Sequence, residues 1–434
     1  MPIRRIVFAL LALAVAARAE EIDLAVTCVH LGVVQEPELD AAKMKEAIDA
    51  LAEKAKKRLE GAKGPKEVVA GLNEVLLMDR KVSYISNKYW RDSTLAASLL
   101  RGQGNCLSTA TLYAVIGQRL GLPIHAVVVP RHAFARFDDG KTRINIETTN
   151  QGLELPDEYY KAMGEWTDGD RVALGYGESL STAQFAAELH TYAGRHLEQV
   201  EQHEGALAET EQAIRLWPAN EGYAIQRLSL LLGGLGRRDE ALRGYQDLLE
   251  KTQSGEVRVR VLMAEAGDLQ AHEKHPEALD VLRTAFHDAP KQVLPDVLGA
   301  MASSYRTLRR FPEALLAQDL ALSAQFQPEA GDFTELAIYY KNANQLEDAV
   351  RCLKEALERN PEDWNTRLIL AGYLIRAKHD DEGWAMFKTV EKPRALAKTP
   401  DILNYVNTEV DFDRYRDDAD FKELVETHRK RLLK

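Results

Sequence analysis

Apolar residues recur at helical spacing over residues 39 to 60, where Met44, Ile48, Leu51 and Ala55 share one face, and the breaker-rich Gly61-Ala-Lys-Gly64-Pro65 ends the run. A second helix is expected over Val68 to Leu77, followed by a mixed aromatic stretch, Tyr84 to Trp90, and a loop with two glycines, Arg101-Gly-Gln-Gly-Asn105. From Cys106 the pattern is helical again, with Leu107, Ala110, Leu112, Val115 and Leu120 on one face and Gly121 placed as a stop before Pro123. Ile124 to Val129 then reads as a strand. His132 to Phe137 and Thr142 to Thr149 read as a hairpin around Asp138-Asp139-Gly140-Lys141, because Asp-Gly between alternating residues is a strong turn signal.

Beyond residue 185 the pattern becomes continuous helix with an internal period. A small residue marks each copy: Ala206 in Glu204-Gly-Ala-Leu207, Ala241, Ala278, Ala314, Ala349, and a weaker sixth copy at Gly383 in Asp381-Glu-Gly-Trp384. The spacings are 35, 37, 36, 35 and 34 residues. Pro218, Pro290 and Pro361 follow their anchors by twelve residues and Pro328 by fourteen. A small residue lets two helices of a hairpin approach closely, and the proline stops the second helix before the next hairpin begins. In these features the region 185–397 resembles tetratricopeptide (TPR) repeats, five to six copies, with the charged stretch 398–434 expected to cap the array.

Composition changes the picture at the N-terminus. Arg4 and Arg5 precede the apolar run Ile6 to Ala17, and Ala17-Arg18-Ala19 forms a small-residue exit before Glu20, so residues 1–19 read as a secretory signal cleaved near Ala19. The run is too short to span a bilayer of roughly 30 Å. No transmembrane segment is expected, and the charged residues between the run and Cys28 argue against a lipid anchor. The expected location is therefore periplasmic or secreted. Loss of Arg4, Arg5 and Arg18 moves the net charge from -11 to -14, which argues against nucleic acid as a partner. The 415 remaining residues, after a helical segment at 20–60, are enough for two or three globular units. Cys28, Cys106 and Cys352 are too few for a disulfide scaffold, and an odd number leaves one thiol unpaired.

Cys106 stands at a helix start, where unpaired N–H groups and the helix dipole favour a thiolate; the alternative is a buried small hydrophobe. If Asp139-Gly140 form a two-residue turn, cross-strand partners sum to 279 and His132 falls directly opposite Glu147. Phe134, Arg136, Arg143 and Asn145 share their face, expected to be free to meet Cys106, while Ala133, Ala135, Phe137, Ile144 and Ile146 form the core side. Cysteine, histidine and carboxylate in that arrangement make an activation chain, in which the imidazole takes the thiol proton and the carboxylate orients the ring. The alternative is a surface His-Glu pair. His125, in an apolar strand, reads as structural, as do Cys28 and Cys352. His196 and His203 lack a metal signature, no metal or cofactor is expected, and no acidic loop argues for calcium. Tyr84, Tyr89 and Trp90 are candidates for a groove wall or for core.

The segment Leu95 to Tyr113, containing Gly104-Asn105-Cys106, together with Arg119-Leu-Gly-Leu-Pro123 and Val129-Pro-Arg-His-Ala-Phe-Ala-Arg136, resembles the transglutaminase-like superfamily, and within it the SirB-type bacterial branch. The resemblance implies an α+β, papain-like cysteine protease fold at residues 61–175, followed by the all-α TPR superhelix. It implies Cys106 as nucleophile, His132 as base and Glu147 in a third position more usually held by aspartate. It further implies an oxyanion site built on the Cys106 backbone N–H, with Asn105 or Gln103 as a side-chain donor and Asn145 as a further polar candidate. Two functions follow: an exported cysteine hydrolase or acyltransferase acting on amide bonds of a protein or peptide held by the repeats, or an inactive transglutaminase-like scaffold whose repeats mediate protein-protein interaction. N-terminal sequencing of the protein recovered from the periplasm or medium should begin at Glu20.

Overall fold

The computed structural model of the chain describes residues 22–85, 90–325, 328–390, 422, 423 and 426. The leader, Tyr89 and nearly all of the expected capping stretch lie outside the described residues. Two compact units divide the chain, Met1–Ala264 and Glu265–Lys434.

The first unit begins with α1 (Leu24–Gln35), capped by Asp23, whose carboxylate accepts from the Ala25 and Val26 N–H groups. Helix α2 (Ala41–Leu59) buries the periodic face formed by Met44, Ile48, Leu51 and Ala55. α3 (Pro65–Asn73) starts at a proline and continues into a π turn, Glu74–Met78. Two short parallel strands, β1 (Ser83–Tyr84) and β2 (Gln103–Gly104), lead into α4 (Cys106–Arg119). An antiparallel sheet follows in the order β3 (Ile124–Val129), β4 (His132–Asp138), β5 (Arg143–Ile146). Its Ala133, Ala135, Phe137, Ile144 and Ile146 face packs into one core with α1 to α4. The opposite face lies under α5 (Asp157–Gly164), where Tyr160 and Trp166 pack on Val127, Val129 and Phe134. A short α6 (Asp168–Leu174) completes this part.

The next helix, α7 (Thr182–Gln199), is the first of the repeat array, yet its Phe185, Ala186, Leu189 and Ala193 belong to the same apolar core as α1 to α4 and the sheet. It pairs with α8 (His203–Leu216), and α9 (Glu221–Ser229) with α10 (Arg238–Lys251). Helices α11 (Gly255–Ala271) and α12 (His275–Asp288) come next in sequence. In the second unit α13 (Leu294–Thr307) pairs with α14 (Phe311–Ser323), α15 (Ala330–Asn342) with α16 (Leu346–Arg359), and α17 (Trp364–Arg376) with α18 (Asp380–Lys388).

Each small anchor lies on the second helix of a hairpin, and Ala206, Ala241, Ala278, Ala314 and Ala349 are all at most 1% exposed. The sixth anchor shows why: a Cβ at Gly383 would stand 2.6 Å from Ile375 Cγ1 and 3.0 Å from the Ala371 carbonyl oxygen on the partner helix. Pro218, Pro290, Pro328 and Pro361 fall just past the ends of α8, α12, α14 and α16. A second periodic feature has no glycine signature. The first helix of each hairpin ends in a left-handed residue, Glu201, Gly236, Glu273, Arg309, Asn344 or Lys378, with φ between 56 and 68°. Five of the six carry a Cβ there, at a strain on the order of 1 kcal/mol each, so the close packing of the paired helices outweighs local preference.

Ala349→Leu should overpack the α15/α16 contact and destabilise the second unit by about 1–3 kcal/mol, read from urea unfolding, while Leu316→Ala, at a side chain 61% exposed, should change stability by less than about 0.5 kcal/mol.

Candidate active site

Strand β2 carries the chain to Cys106 under tight local restraint. Ser83 and Tyr84 pair with Gln103 and Gly104, and the Asn105 N–H donates to the Asp92 carbonyl at 3.0 Å. At Gly104 a Cβ would come within 2.0 Å of Ser108 Oγ, so only glycine lets the strand pass over the first turn of α4. Asn105 is the N-cap. Its Oδ1 accepts from the Leu107 and Ser108 N–H groups at 3.1 and 3.2 Å, and its Nδ2 donates to Ser93 Oγ at 2.6 Å. The carbonyl oxygen and one N–H of the amide are thus committed, and the second N–H remains as a donor. The Cys106 N–H, one of the four orphan donors of a helix start, donates to no described residue. Nor does the half-buried Gln103 side chain hydrogen-bond a described residue, so the Cys106 N–H, the Gln103 amide and the second Asn105 N–H are free donors among the described residues.

The hairpin register differs from the expected one. Arg136 pairs with Asn145, so cross-strand partners sum to 281 rather than 279, and Asp139 to Thr142 form a four-residue loop. Asp139 closes that loop by accepting from the Lys141 and Thr142 N–H groups at 2.9 and 2.6 Å. A shift of two preserves parity, so His132 and Glu147 still share a face, now on a diagonal that long side chains span. His132 Nε2 meets Glu147 Oε2 at 2.9 Å. The Cys106 side chain and its charge act on the same imidazole.

Glu147 is 5% exposed and fully coordinated. Its Oε2 also accepts from the Tyr160 hydroxyl at 3.1 Å, and its Oε1 accepts from the Thr149 N–H at 3.0 Å and the Thr149 hydroxyl at 2.5 Å. Tyr160 stacks on both Phe134 and His132. The turn after Glu147 is anchored to the rest of the unit: Thr148 Oγ1 and Thr109 Oγ1 on α4 are 2.8 Å apart, and Asn73 links the Gly152 carbonyl to the Tyr113 hydroxyl. Gly152, with φ +79°, leaves room for Asn73, which a Cβ would meet at 2.2 Å.

Burial pulls the His132 pKa down, but the hydrogen bonds and charges of Cys106 and Glu147 outweigh it and raise the pKa from 6.5 to about 9. Burial pushes Glu147 the other way, and the His132 and Thr149 bonds overcome it, holding its pKa below the ordinary value. The imidazolium is thus the favoured form near neutrality. Tyr84, 48% exposed, has its pKa raised by burial and by the charges of Cys106 and Glu147, so it borders the site. Trp90 instead stacks on His196 at 3.8 Å between centroids. His125 Nδ1 bonds the Leu180 carbonyl at 3.0 Å, and Cys28 and Cys352 are buried thiols with raised pKa values.

The rest of the polar face is closed, which corrects the expectation that it is open. Arg136, 1% exposed, is held by Asp157 at 2.6 Å, Asn145 Oδ1 at 2.6 Å and the Gly177 carbonyl at 2.9 Å. Asn145 donates in turn to the Leu155 carbonyl and Asp157 Oδ1. Asn145 is therefore a structural residue, its polar atoms spent on covering the sheet with α5. Only the His132 and Glu147 end of that face reaches Cys106. Tyr160 and Thr149 were not foreseen. A threonine two residues beyond a carboxylate is a readable local signal, whereas Tyr160 arrives through the return of α5.

Residues 42–187 match the transglutaminase-like superfamily. The domain of that family thus begins within α2 and ends within α7. No curated protein matches the chain. Among solved structures, a thermophilic TPR protein of Thermus thermophilus is 20% identical, covering 44% of this chain and 99% of its own, with a TM-score of 0.35. The widely conserved type IV pilus biogenesis factor PilW is 16% identical over 52% of this chain and 97% of its own, TM-score 0.38. A tetratricopeptide repeat protein from Parabacteroides merdae is 16% identical over 55% and 97%, TM-score 0.35. The chain joins a transglutaminase-like domain to tetratricopeptide-type helical hairpins.

Because the folded pKa of His132 lies above its ordinary 6.5, the stability it contributes is complete below about pH 6.5 and is lost as pH rises through about 9. The unfolding free energy of the wild type minus that of His132→Gln should therefore be constant below pH 6.5 and shrink toward pH 9.5 in urea titrations.

Proposed function

We propose that the chain is an exported cysteine hydrolase or acyltransferase that attacks amide carbonyls of a protein or peptide through Cys106, His132 and Glu147. The observation carrying this reading is the imidazole of His132, bonded by Glu147 at 2.9 Å and with its pKa raised by Cys106 as well as by Glu147. The imidazolium of His132 already holds the proton given up by the Cys106 thiol, and the thiolate sulfur forms a bond to the amide carbon as the carbonyl electrons move to oxygen. The Cys106 N–H and the Gln103 amide stabilise that oxyanion. When it collapses, the C–N bond breaks and the imidazolium protonates the leaving amine, leaving an acyl-Cys106 thioester. Water or an amine then attacks the thioester, giving its proton to His132, and the sulfur departs and recovers that proton. Export rests on the leader at residues 1–19, and the assignment to the SirB-type branch on Gly104-Asn105-Cys106 and the Pro130-x-His132 strand start.

The helical hairpins bind protein in this reading. A cavity of about 600 Å³ lined by Phe311, Leu315, Leu316 and Tyr340 in the second unit offers an apolar surface for such contact. The same surface favours the second reading, an inactive scaffold. Alkylation separates the two: for the enzyme, iodoacetamide labels Cys106 at pH 6, and His132→Ala slows labelling by about tenfold or more, followed by peptide mapping. Labelling at pH 6 that is indifferent to His132 supports the scaffold.

A further inference from the structure

Two donors converge on one oxygen of the buried carboxylate. Glu147 Oε2 accepts from the His132 imidazolium at 2.9 Å and from the Tyr160 hydroxyl at 3.1 Å, whereas Thr149 bonds the other oxygen, Oε1. Tyr160 is 1% exposed, and burial together with the Glu147 charge raises its pKa, so the hydroxyl keeps its proton and donates it. Its ring stacks on His132, with centroids 6.1 Å apart and planes 14° from parallel, and on Phe134 at 3.7 Å and 12°. One side chain therefore meets both members of the His-Glu pair, the carboxylate with its polar end and the imidazole with its ring.

Helix α5 holds that side chain from both ends. Asp157, its first residue, accepts from Arg136 at 2.6 Å and from Asn145 at 2.8 Å. At its last residue, Gly164, a Cβ would stand 2.9 Å from Pro130 Cδ and 2.8 Å from Trp166 Cε3. Tyr160 is thus fixed against the strand that carries His132, and its hydroxyl has one buried oxygen to meet.

The charged and titratable groups that act on the His132 ring are Cys106 at the start of α4 and Glu147 after β5. Tyr160 of α5 packs on the ring, and Arg136, further along β4, is spent on Asp157. Hydrogen bonds to a charged group are strong ones, so a second donor on Oε2 takes up charge that would otherwise act on the imidazolium. That matters for catalysis because the His132 pKa already stands at about 9, above the range in which proton transfer near neutral pH is most efficient. An imidazolium held still more tightly would leave the departing amine unprotonated.

We propose that Tyr160 is a positioning residue of the reaction: its hydroxyl, by sharing Glu147 Oε2 with His132, limits the hold of the carboxylate on the imidazolium proton, and its ring keeps water from the pair. The inference rests on the proposed reaction at Cys106, in which the imidazolium gives that proton to the leaving amine.

The test is an NMR titration of His132 in the full chain, with histidine labelled in carbon-13 and the resonance assigned by its loss in His132→Gln. It is carried out in a Cys106→Ser background, so that no thiol titrates beside the ring. There Tyr160→Phe, which keeps the ring and removes only the hydroxyl, should raise the His132 midpoint by about half a pH unit or more. Tyr160→Leu removes the ring as well, admits water to the carboxylate and should lower the midpoint toward the ordinary 6.5. A tyrosine that merely packs would give a fall in both variants, because loosening weakens the pair. A midpoint lowered or unmoved by Tyr160→Phe would therefore overturn the proposal. The readout is the imidazole itself, so its failure is distinct from that of the thiol reading, which fails when iodoacetamide labelling of Cys106 is indifferent to His132→Ala.

Discussion

A carboxylate taken out of water has to be hydrogen-bonded on every side, and Glu147 meets that demand with four donors drawn from β4, α5 and its own turn. Those donors fix the carboxylate in place, and the fixed carboxylate fixes the ring of His132. The thiol of Cys106 then faces an imidazole that cannot rotate away without leaving a buried charge uncompensated. Much of the surrounding architecture serves this arrangement. The Thr109 and Thr148 contact ties the helix that starts at Cys106 to the turn after Glu147, and Asn73 ties that turn to α3 and α4.

The same logic explains why a short hairpin can carry two of the three groups. β5 ends at Ile146, so Glu147 leaves the ladder, and its backbone N–H bonds the Leu153 carbonyl at 2.9 Å. The bulk of the polar face is sealed by the ion pair of Arg136 with Asp157 and by Tyr160, which keeps water from competing for the carboxylate.

The two structural classes in this chain share material. Helix α7 is the first helix of the repeat array, and its Phe185, Ala186, Leu189 and Ala193 belong to the core of the transglutaminase-like domain.

Several features were legible in the sequence because they depend on spacing alone. The period of small residues set the helical hairpins, since a close helix approach excludes a side chain wherever it recurs. The helix beginning at Cys106, the strand Ile124–Val129 and the shared face of His132 and Glu147 followed from periodicity, and parity protected that face from a register error of two. What burial and long-range contact govern was not legible. Asn145 is an amide of the right chemistry, but a buried arginine and the cover of α5 claim it, and those claims arise only when Arg136, Leu155 and Asp157 arrive around it. The loop of four residues, the cover supplied by α5 and the packing of α7 into the first core were likewise decided by the tertiary structure, because local patterns specify which face a side chain occupies and not what will be packed against it.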